Sequence, residues 1–223
     1  CDGLVGTGCE IDLMSDAAHC GNCMTGCGPA SVCQAGVCAP LVEIDAGATH
    51  TCARYATGRV VCWGFNMRGQ LGDGTTTNAL SPVVVAGLTD VVDIAAGWEH
   101  TCALTSDGHV HCWGSNASGQ IGDESGTDQL TPTEVLLGGV PIDRVTQLDS
   151  SRATSCGLRT SGDLYCWGAN ASGMIDPYGG EPTFPSAVWA RFDPCGECGS
   201  PRVQLFAMGA QYIAALVSYS SKA

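Results

Sequence analysis

Along "HTCALTSDGHVHCWG", residues 100–114, short runs of apolar and β-favouring side chains are broken by the polar triplet Ser-Asp-Gly. "TCALT" and "HVHCW" predict two strands of a hairpin, because each is short and bounded by turn formers. Pairing Cys102 with Cys112 sets Thr105 opposite His109 and leaves Ser106, Asp107 and Gly108 as a three-residue loop. The last residue of such a loop is left-handed, which glycine accepts without steric cost. Thr105 and His109 close the loop as a hydrogen-bonded pair, so counting outward makes Cys102 and Cys112 a non-hydrogen-bonded pair. Side chains approach most closely at such pairs, near the Cα separation a disulfide requires.

The pattern recurs. A shift of 50 residues lays "AGATHTCARYATGRVVCWGFNMRGQLGDGTTT" on "AGWEHTCALTSDGHVHCWGSNASGQIGDESGT", and a further shift of 54 adds "SSRATSCGLRTSGDLYCWGANASGMIDPYGG". Cys52, Cys102 and Cys156 align, as do Cys62, Cys112 and Cys166, then Trp63, Trp113 and Trp167. Asn66, Asn116 and Asn170 follow, then Gly69, Gly119 and Gly173, while Gly58 and Gly162 hold the place of Gly108. The hairpin arithmetic therefore predicts three cross-strand disulfides, Cys52–Cys62, Cys102–Cys112 and Cys156–Cys166. A fourth copy begins at "VQLFAMGAQYIAALVSYS", with Gly209 at the place of Gly47 and Gly97.

These motifs resemble the repeat of the regulator of chromosome condensation family. Its unit of about fifty residues ends in a Trp-Gly-x-Asn-x-x-Gly-Gln-Leu-Gly-type segment and forms one blade of a seven-bladed β-propeller. The resemblance spans roughly residues 41–175 and implies an all-β fold. It implies a partial β-propeller here, three blade repeats plus the start of a fourth. Repeat three departs: Ser151 replaces the glycine, Thr154 the histidine, and Met174-Ile175-Asp176 the Gln-Ile/Leu-Gly segment, which predicts a distorted blade. The resemblance also implies regulators, since some members promote nucleotide exchange on a small GTPase and others inhibit secreted hydrolases. Three repeats and two strands of a fourth do not close seven blades, so either the arc remains open, with unpaired strand edges that are an association hazard, or something else completes it.

Composition sharpens the picture. Thirty-one glycines and ten prolines call for many turns, and the net charge of −13 is a poor match to nucleic acid. No apolar run approaches the ~18–20 residues of a membrane-spanning helix. Fifteen cysteines, mostly at regular spacing, predict an oxidising compartment, hence an extracellular or cell-surface protein.

The chain divides near residue 40. Residues 1–40 carry seven cysteines and no strand periodicity, and they predict a small disulfide-rich N-terminal module. The module resembles the Cys-rich segments that precede repeat domains in secreted myxobacterial proteins. Zinc on Cys20, Cys23, Cys33 and Cys38 is the rival reading. Residues 41–223 hold the repeats, at 41–90, 91–142, 143–202 and, incomplete, 203–223. Six cysteines pair within the repeats and Cys195 with Cys198 predicts a local bridge in "PCGECG", where Pro194 and the glycines offer no helix for a redox thiolate. Cys1 is then the odd one. Lipidation of Cys1, as in a mature bacterial lipoprotein, competes with a partner upstream, and the upstream partner ranks higher because the C-terminus also stops within a repeat.

The stretch between Gly173 and Gly209 is longer than its counterparts and carries Tyr178, Phe184, Trp189 and Phe192. Aromatic residues on a long loop are candidates for a binding surface. Packing over the edge of the third blade is the plainer role, and ranks ahead.

No catalytic motif is found: no nucleophile elbow, zinc-protease helix or phosphate-binding loop. His50 and His100 occupy equivalent repeat positions, which marks them as blade residues, and a metal on His109 or His111 needs partners from another blade. Asp73 and Asp123 are weak candidates for a structural calcium, with loop capping as the commoner role. Asn116 and Asn170 match the glycosylation sequon, yet both sit at the recurrent turn position. No cofactor is expected. The leading expectation is a non-enzymatic extracellular or cell-surface module presenting a propeller surface to a protein or glycan. The alternatives are a self-assembling structural subunit, with blade edges completed by a neighbour, and an inhibitor of a secreted enzyme.

Overall fold

The computed structural model describes residues 26–27, 31–34, 36–170, 173, 175, 181–190, 201–209 and 212–219. Among them every regular element is a strand. The first sheet runs in chain order through β1 (Ser31–Gln34), β2 (Val37–Ala46), β3 (His50–Tyr55), β4 (Val60–Gly64) and β5 (Ala79–Val84). The second holds β6 (Val91–Ala96), β7 (His100–Thr105), β8 (Val110–Gly114) and β9 (Gln129–Glu134). A small hairpin, β10 (Leu136–Leu137) and β11 (Val140–Pro141), leads to the third sheet, β12 (Val145–Ser151), β13 (Thr154–Arg159), β14 (Leu164–Ala169) and β15 (Thr183–Trp189). A two-stranded sheet of β16 (Pro201–Met208) and β17 (Ile213–Tyr219) ends the series. Every pairing is antiparallel, as expected of propeller blades.

The central hairpins are superposable in register. Cys52 faces Cys62, Cys102 faces Cys112 and Cys156 faces Cys166. Each pair is a disulfide with a Cα separation of 4.1 Å. Thr105 N–H donates to His109 O and Gly108 sits at φ 88°, the left-handed turn that closes the middle hairpin. In the head, Cys27 is bonded to Cys38 on β2, and Cys33 is also in a disulfide. A zinc site built on Cys33 and Cys38 would require thiolates, which disulfide sulfurs are not. Cys1, Tyr178, Phe192, Cys195 and Cys198 lie outside the described residues.

Each innermost strand breaks register at the same point, between Leu41 and Glu43, Val91 and Asp93, Val145 and Gln147, Val203 and Leu205. Such a bulge re-aims the following side chain. In the first three blades that side chain reaches the next blade. Glu43 accepts from Ile94 N–H (3.4 Å), Asp93 from Leu148 N–H (3.1 Å) and Gln147 from Phe206 N–H (3.4 Å).

The core lies between sheets rather than within one. One cluster joins Cys52, Val60 and Leu71 of the first blade to Ile94 and Trp113 of the second. Another joins Val110 and Ile121 to Leu148 and Trp167, and a third joins Leu158 and Ile175 to Val203 and Phe206. Burying an apolar face between stacked sheets is what makes each repeat depend on its neighbours.

Candidate binding face at the propeller axis

Two polar bonds repeat at both joints between full blades. Trp113 Nε1–H donates to Gln70 O (2.9 Å) of the blade before it, and Trp167 Nε1–H donates to Gln120 O (3.0 Å). His50 Nε2 lies 2.7 Å from Thr101 Oγ1, and His100 Nε2 lies 2.7 Å from Ser155 Oγ. The Thr101 hydroxyl donates its one proton to Gln70 O (3.1 Å), so His50 must be the donor to Thr101 and carries its proton on Nε2. The buried Nδ1 of His50, which has no hydrogen-bond partner, is then a bare acceptor lone pair rather than an orphaned N–H. Burial holds both rings neutral, lowering His50 to about 4 and His100 to about 3, where the charge of His50 adds to the effect.

The glycine three residues before each histidine is explained by close approach. A methyl group at Gly47 or Gly97 would run into the ring of His50 or His100. Repeat three replaces both members together. Thr154 turns its hydroxyl to Ala169 O (2.7 Å), Ser151 takes the glycine position, and its hydroxyl reaches Gly209 O (2.7 Å) of the last blade. In the last blade Gly209 lies against Tyr212, which stands where the histidines stand. The predicted distortion is absent from the strands: the third sheet keeps four strands in the same order. Ile175, in the divergent Met-Ile-Asp segment, is buried like Leu71 and Ile121 and donates its N–H to Asn170 Oδ1 (2.8 Å).

Other sequence candidates resolve into scaffold roles. Asn66 and Asn116 accept from Leu71 N–H and Ile121 N–H, so the recurrent asparagine ties its own turn. Asp73 caps Thr75 and Asp123 caps Ser125, each accepting from the backbone N–H and the hydroxyl two residues on. Phe184 and Trp189 lie on β15 rather than on a loop. Phe184 packs on the third cluster, while Trp189 faces Tyr165 across the strand pair and is half exposed.

What differs between repeats is the loop joining the first two strands of each blade. These loops converge on one face of the propeller around a cavity of about 260 Å³, lined by Gly47, Ala48, Gly97, Trp98, Arg152 and Gly209. Ala48, Trp98 and Arg152 occupy one repeat position with three unrelated chemistries. Trp98 N–H donates to Arg152 O (2.8 Å), and the Arg152 guanidinium lies over the indole, 4.0 Å from the ring centre. Arg152 has a backbone φ of 34°, in the left-handed region that costs a non-glycine residue energy. Trp98 is 50% exposed. Beneath the rim, Asp45 Oδ2 accepts from Ala96 N–H (2.7 Å) and Asp149 Oδ2 from Met208 N–H (2.8 Å). Burial, with the charge of Asp45, raises the Asp149 carboxyl. Sequence reasoning missed Trp98 and Arg152. The signal was available, because the two positions after Gly47, Gly97 and Ser151 are where the aligned repeats stop agreeing.

Residues 41–70, 91–120 and 145–173 match the regulator of chromosome condensation (RCC1) repeat, and a second form of the same repeat matches residues 57–104 and 107–158. Together these matches run from residue 41 to 173, more than half of the 223 residues. The chain belongs to the RCC1 repeat family, whose propellers are commonly protein-binding modules. Solved structures agree on the fold. Human WBSCR16 is 19% identical with a TM-score of 0.71, matching 83% of this chain and 48% of its own. Yeast RCC1 (Prp20), in its complex with Kap60, is 22% identical with a TM-score of 0.63, over 83% of this chain and 45% of the other. Prp20p from Saccharomyces cerevisiae, studied for its binding to Gsp1p and histones, is 22% identical with the same TM-score, over 83% and 47%. The chain thus spans about half the length of the proteins it matches.

Proposed function

We propose that this chain is a non-catalytic, protein-binding propeller module of the extracellular space or cell surface, and that it holds its partner on the axial face bearing Trp98 and Arg152. The observation that carries the reading is the Trp98–Arg152 pair, its indole half exposed and its arginine partly buried, set on a loop position where Ala48 stands in the first blade. Large aromatic and arginine side chains on rigid scaffolds are the residues that dominate protein interfaces. The internal disulfides, buried in every full blade, favour an oxidising compartment. The similarity to a yeast protein that binds Kap60, Gsp1p and histones favours a protein partner over a glycan. The test is capture of partners from the extracellular fraction of the source organism on the immobilised chain, beside a Trp98→Ala, Arg152→Ala variant of unchanged fold. A partner retained by the parent and lost by the variant supports the reading; equal recovery on both would reject this face.

Completion of the blade edges by a neighbouring molecule is the second reading, and a specific surface favours it. Ile44 is 58% exposed, whereas its equivalents Ile94, Leu148 and Phe206 are 2–5% exposed at the joints. Leu80 is fully exposed, while its counterpart Leu130 seats against Gly69 of the blade before it. Such a face takes a further blade of the same kind. Light scattering should then show a multimer that Ile44→Asp dissociates; a monomer at every concentration would dismiss this reading.

A further inference from the structure

The chemistry of the axial pair points beyond a generic interface. We infer that Trp98 and Arg152 form a carboxylate-reading hook for an acidic peptide segment of a protein partner, an inference that rests on the axial face being the binding face. Arg54, Arg68, Arg144 and Arg159 each pair with an aspartate or glutamate of this chain. Arg152, like Arg59 and Arg202, has no ion pair among the described residues, although the chain carries 22 acidic residues against 9 basic ones; of these three, Arg152 is the one stacked on a half-exposed indole. Of the carboxylates nearest in sequence to the rim, Asp45 and Asp149 are engaged with backbone N–H groups of the following blade, and Glu99, beside Trp98, forms no ion pair among the described residues.

Stacking fixes how the guanidinium is presented. The indole takes one flat face of the group, and the five N–H donors lie in its plane, so stacking leaves the donor edge free for a partner. A planar carboxylate matches that edge with two parallel hydrogen bonds, whereas a neutral amide offers a single weak acceptor. The Trp98–Arg152 backbone bond and the left-handed φ of Arg152 hold the hook in place before the partner arrives, which lowers the ordering cost of binding. The half-exposed indole supplies apolar contact for the residue beside the acid, which separates a peptide from a free anion. Ala48, the small residue at the equivalent position of the first blade, leaves room for a peptide backbone at the rim.

The test is NMR titration of the isotope-labelled chain, following the Trp98 indole N–H and the Arg152 Nε–H. The probes are Ac-Gly-Phe-Glu-Glu-Gly-NH2, its Gln-Gln and Lys-Lys counterparts, and sodium acetate at equal concentration. The Glu-Glu peptide is expected to move both resonances saturably, and the other three probes are not. Arg152→Ala should raise the Kd of the Glu-Glu peptide by about tenfold or more, and Arg152→Lys by less, since lysine keeps the charge but not the fork. Backbone spectra show whether each variant is folded, and Arg152→Lys keeps the test alive should the alanine variant fail. Equal shifts with the Gln-Gln peptide, full shifts with acetate alone, or no response to any probe would overturn the carboxylate assignment. Should the partner captured on the axial face still be lost on Trp98→Ala, Arg152→Ala, that face stands as the binding face and only its acid preference is wrong.

Discussion

At the joint between the second and third blades, His100 reaches the Ser155 hydroxyl and Gly97 clears room for its ring. At the joint between the third and fourth, Thr154 bonds within its own blade while Ser151 crosses to Gly209 O and Gln147 clasps Phe206 through both its amide groups. Both joints bury a matching apolar pair at their centre, Leu148 in one and Phe206 in the other. The difference teaches that the repeat specifies a set of cross-blade bonds rather than a set of residue types. A glycine and a histidine can be exchanged together for a serine and a threonine. Only the first two joints place a titratable ring in the core.

The largest expected effect lies at the tryptophan. Trp113→Ala removes a fully buried indole and leaves Gln70 O without one of its donors, and should cost about 3–5 kcal/mol in denaturant unfolding. Trp63, which is only partly buried and covered by no described blade, should cost well under half as much. Equal losses at the two positions would erase the distinction between covered and uncovered blade faces.

Acid should act selectively on the histidine joints. The folded-state value of His100 is depressed to about 3 against an ordinary value of 6.5, so its stabilisation is complete above pH 6.5 and is lost as pH falls toward 3. By pH 4 the loss amounts to roughly 3 kcal/mol. His100→Asn should flatten that part of the stability–pH curve, while Thr154→Val, at the joint without a ring, should shift the curve without changing its slope. Asp93 works the opposite way. Burial beside Glu43 raises it to about 7, so its contribution to stability declines as pH rises from about 4 to 7, and Asp93→Asn should help most above pH 7.

Removing the middle disulfide with Cys102→Ala and Cys112→Ala should cost about 2–3 kcal/mol, as expected for so short a closed loop. The same change at Cys156 and Cys166 should cost a similar amount, because both bridges are fully buried between equivalent strands. A large gap between the two would mean that the third blade is held differently.

The smallest and sharpest test transplants one joint into another. Gly97→Ser alone forces a side chain into the His100 ring and should cost about 1–3 kcal/mol. Combined with His100→Thr it recreates the Ser151 and Thr154 pairing of the third blade. The double variant should therefore be less destabilised than the sum of the singles by about 1 kcal/mol. Strict additivity would show that the two positions are independent and that their joint exchange in repeat three is incidental.

Much of the fold was legible because β-hairpin register is short-range arithmetic. Three-residue loops ending in Gly58, Gly108 and Gly162 fix which residues face each other, and the cysteine pairing follows from that count. The repeated Asn66, Asn116 and Asn170 likewise act within their own turns. The joint partners were not legible, since Thr101 and Ser155 are drawn to histidines about fifty residues away only once two sheets stack. Nor was the exchange at Ser151 and Thr154 readable as a compensation, because in sequence it looks like two separate losses. Trp98 and Arg152 stood in plain view as a divergence between repeats, but nothing local says that loops 54 residues apart meet.

The sequence by itself determined the blade: strand positions, turn chemistry, bridges and repeat length, all set by contacts within about ten residues or by self-similarity along the chain. Only the tertiary structure decided the joints and the axial face. Stacking order brings His50 to Thr101, Trp113 to Gln70 and the Arg152 guanidinium over the Trp98 ring. The physical reason is that a blade is a local object held by backbone pairing, whereas its apolar faces and loop tips acquire meaning only from the neighbour that covers them.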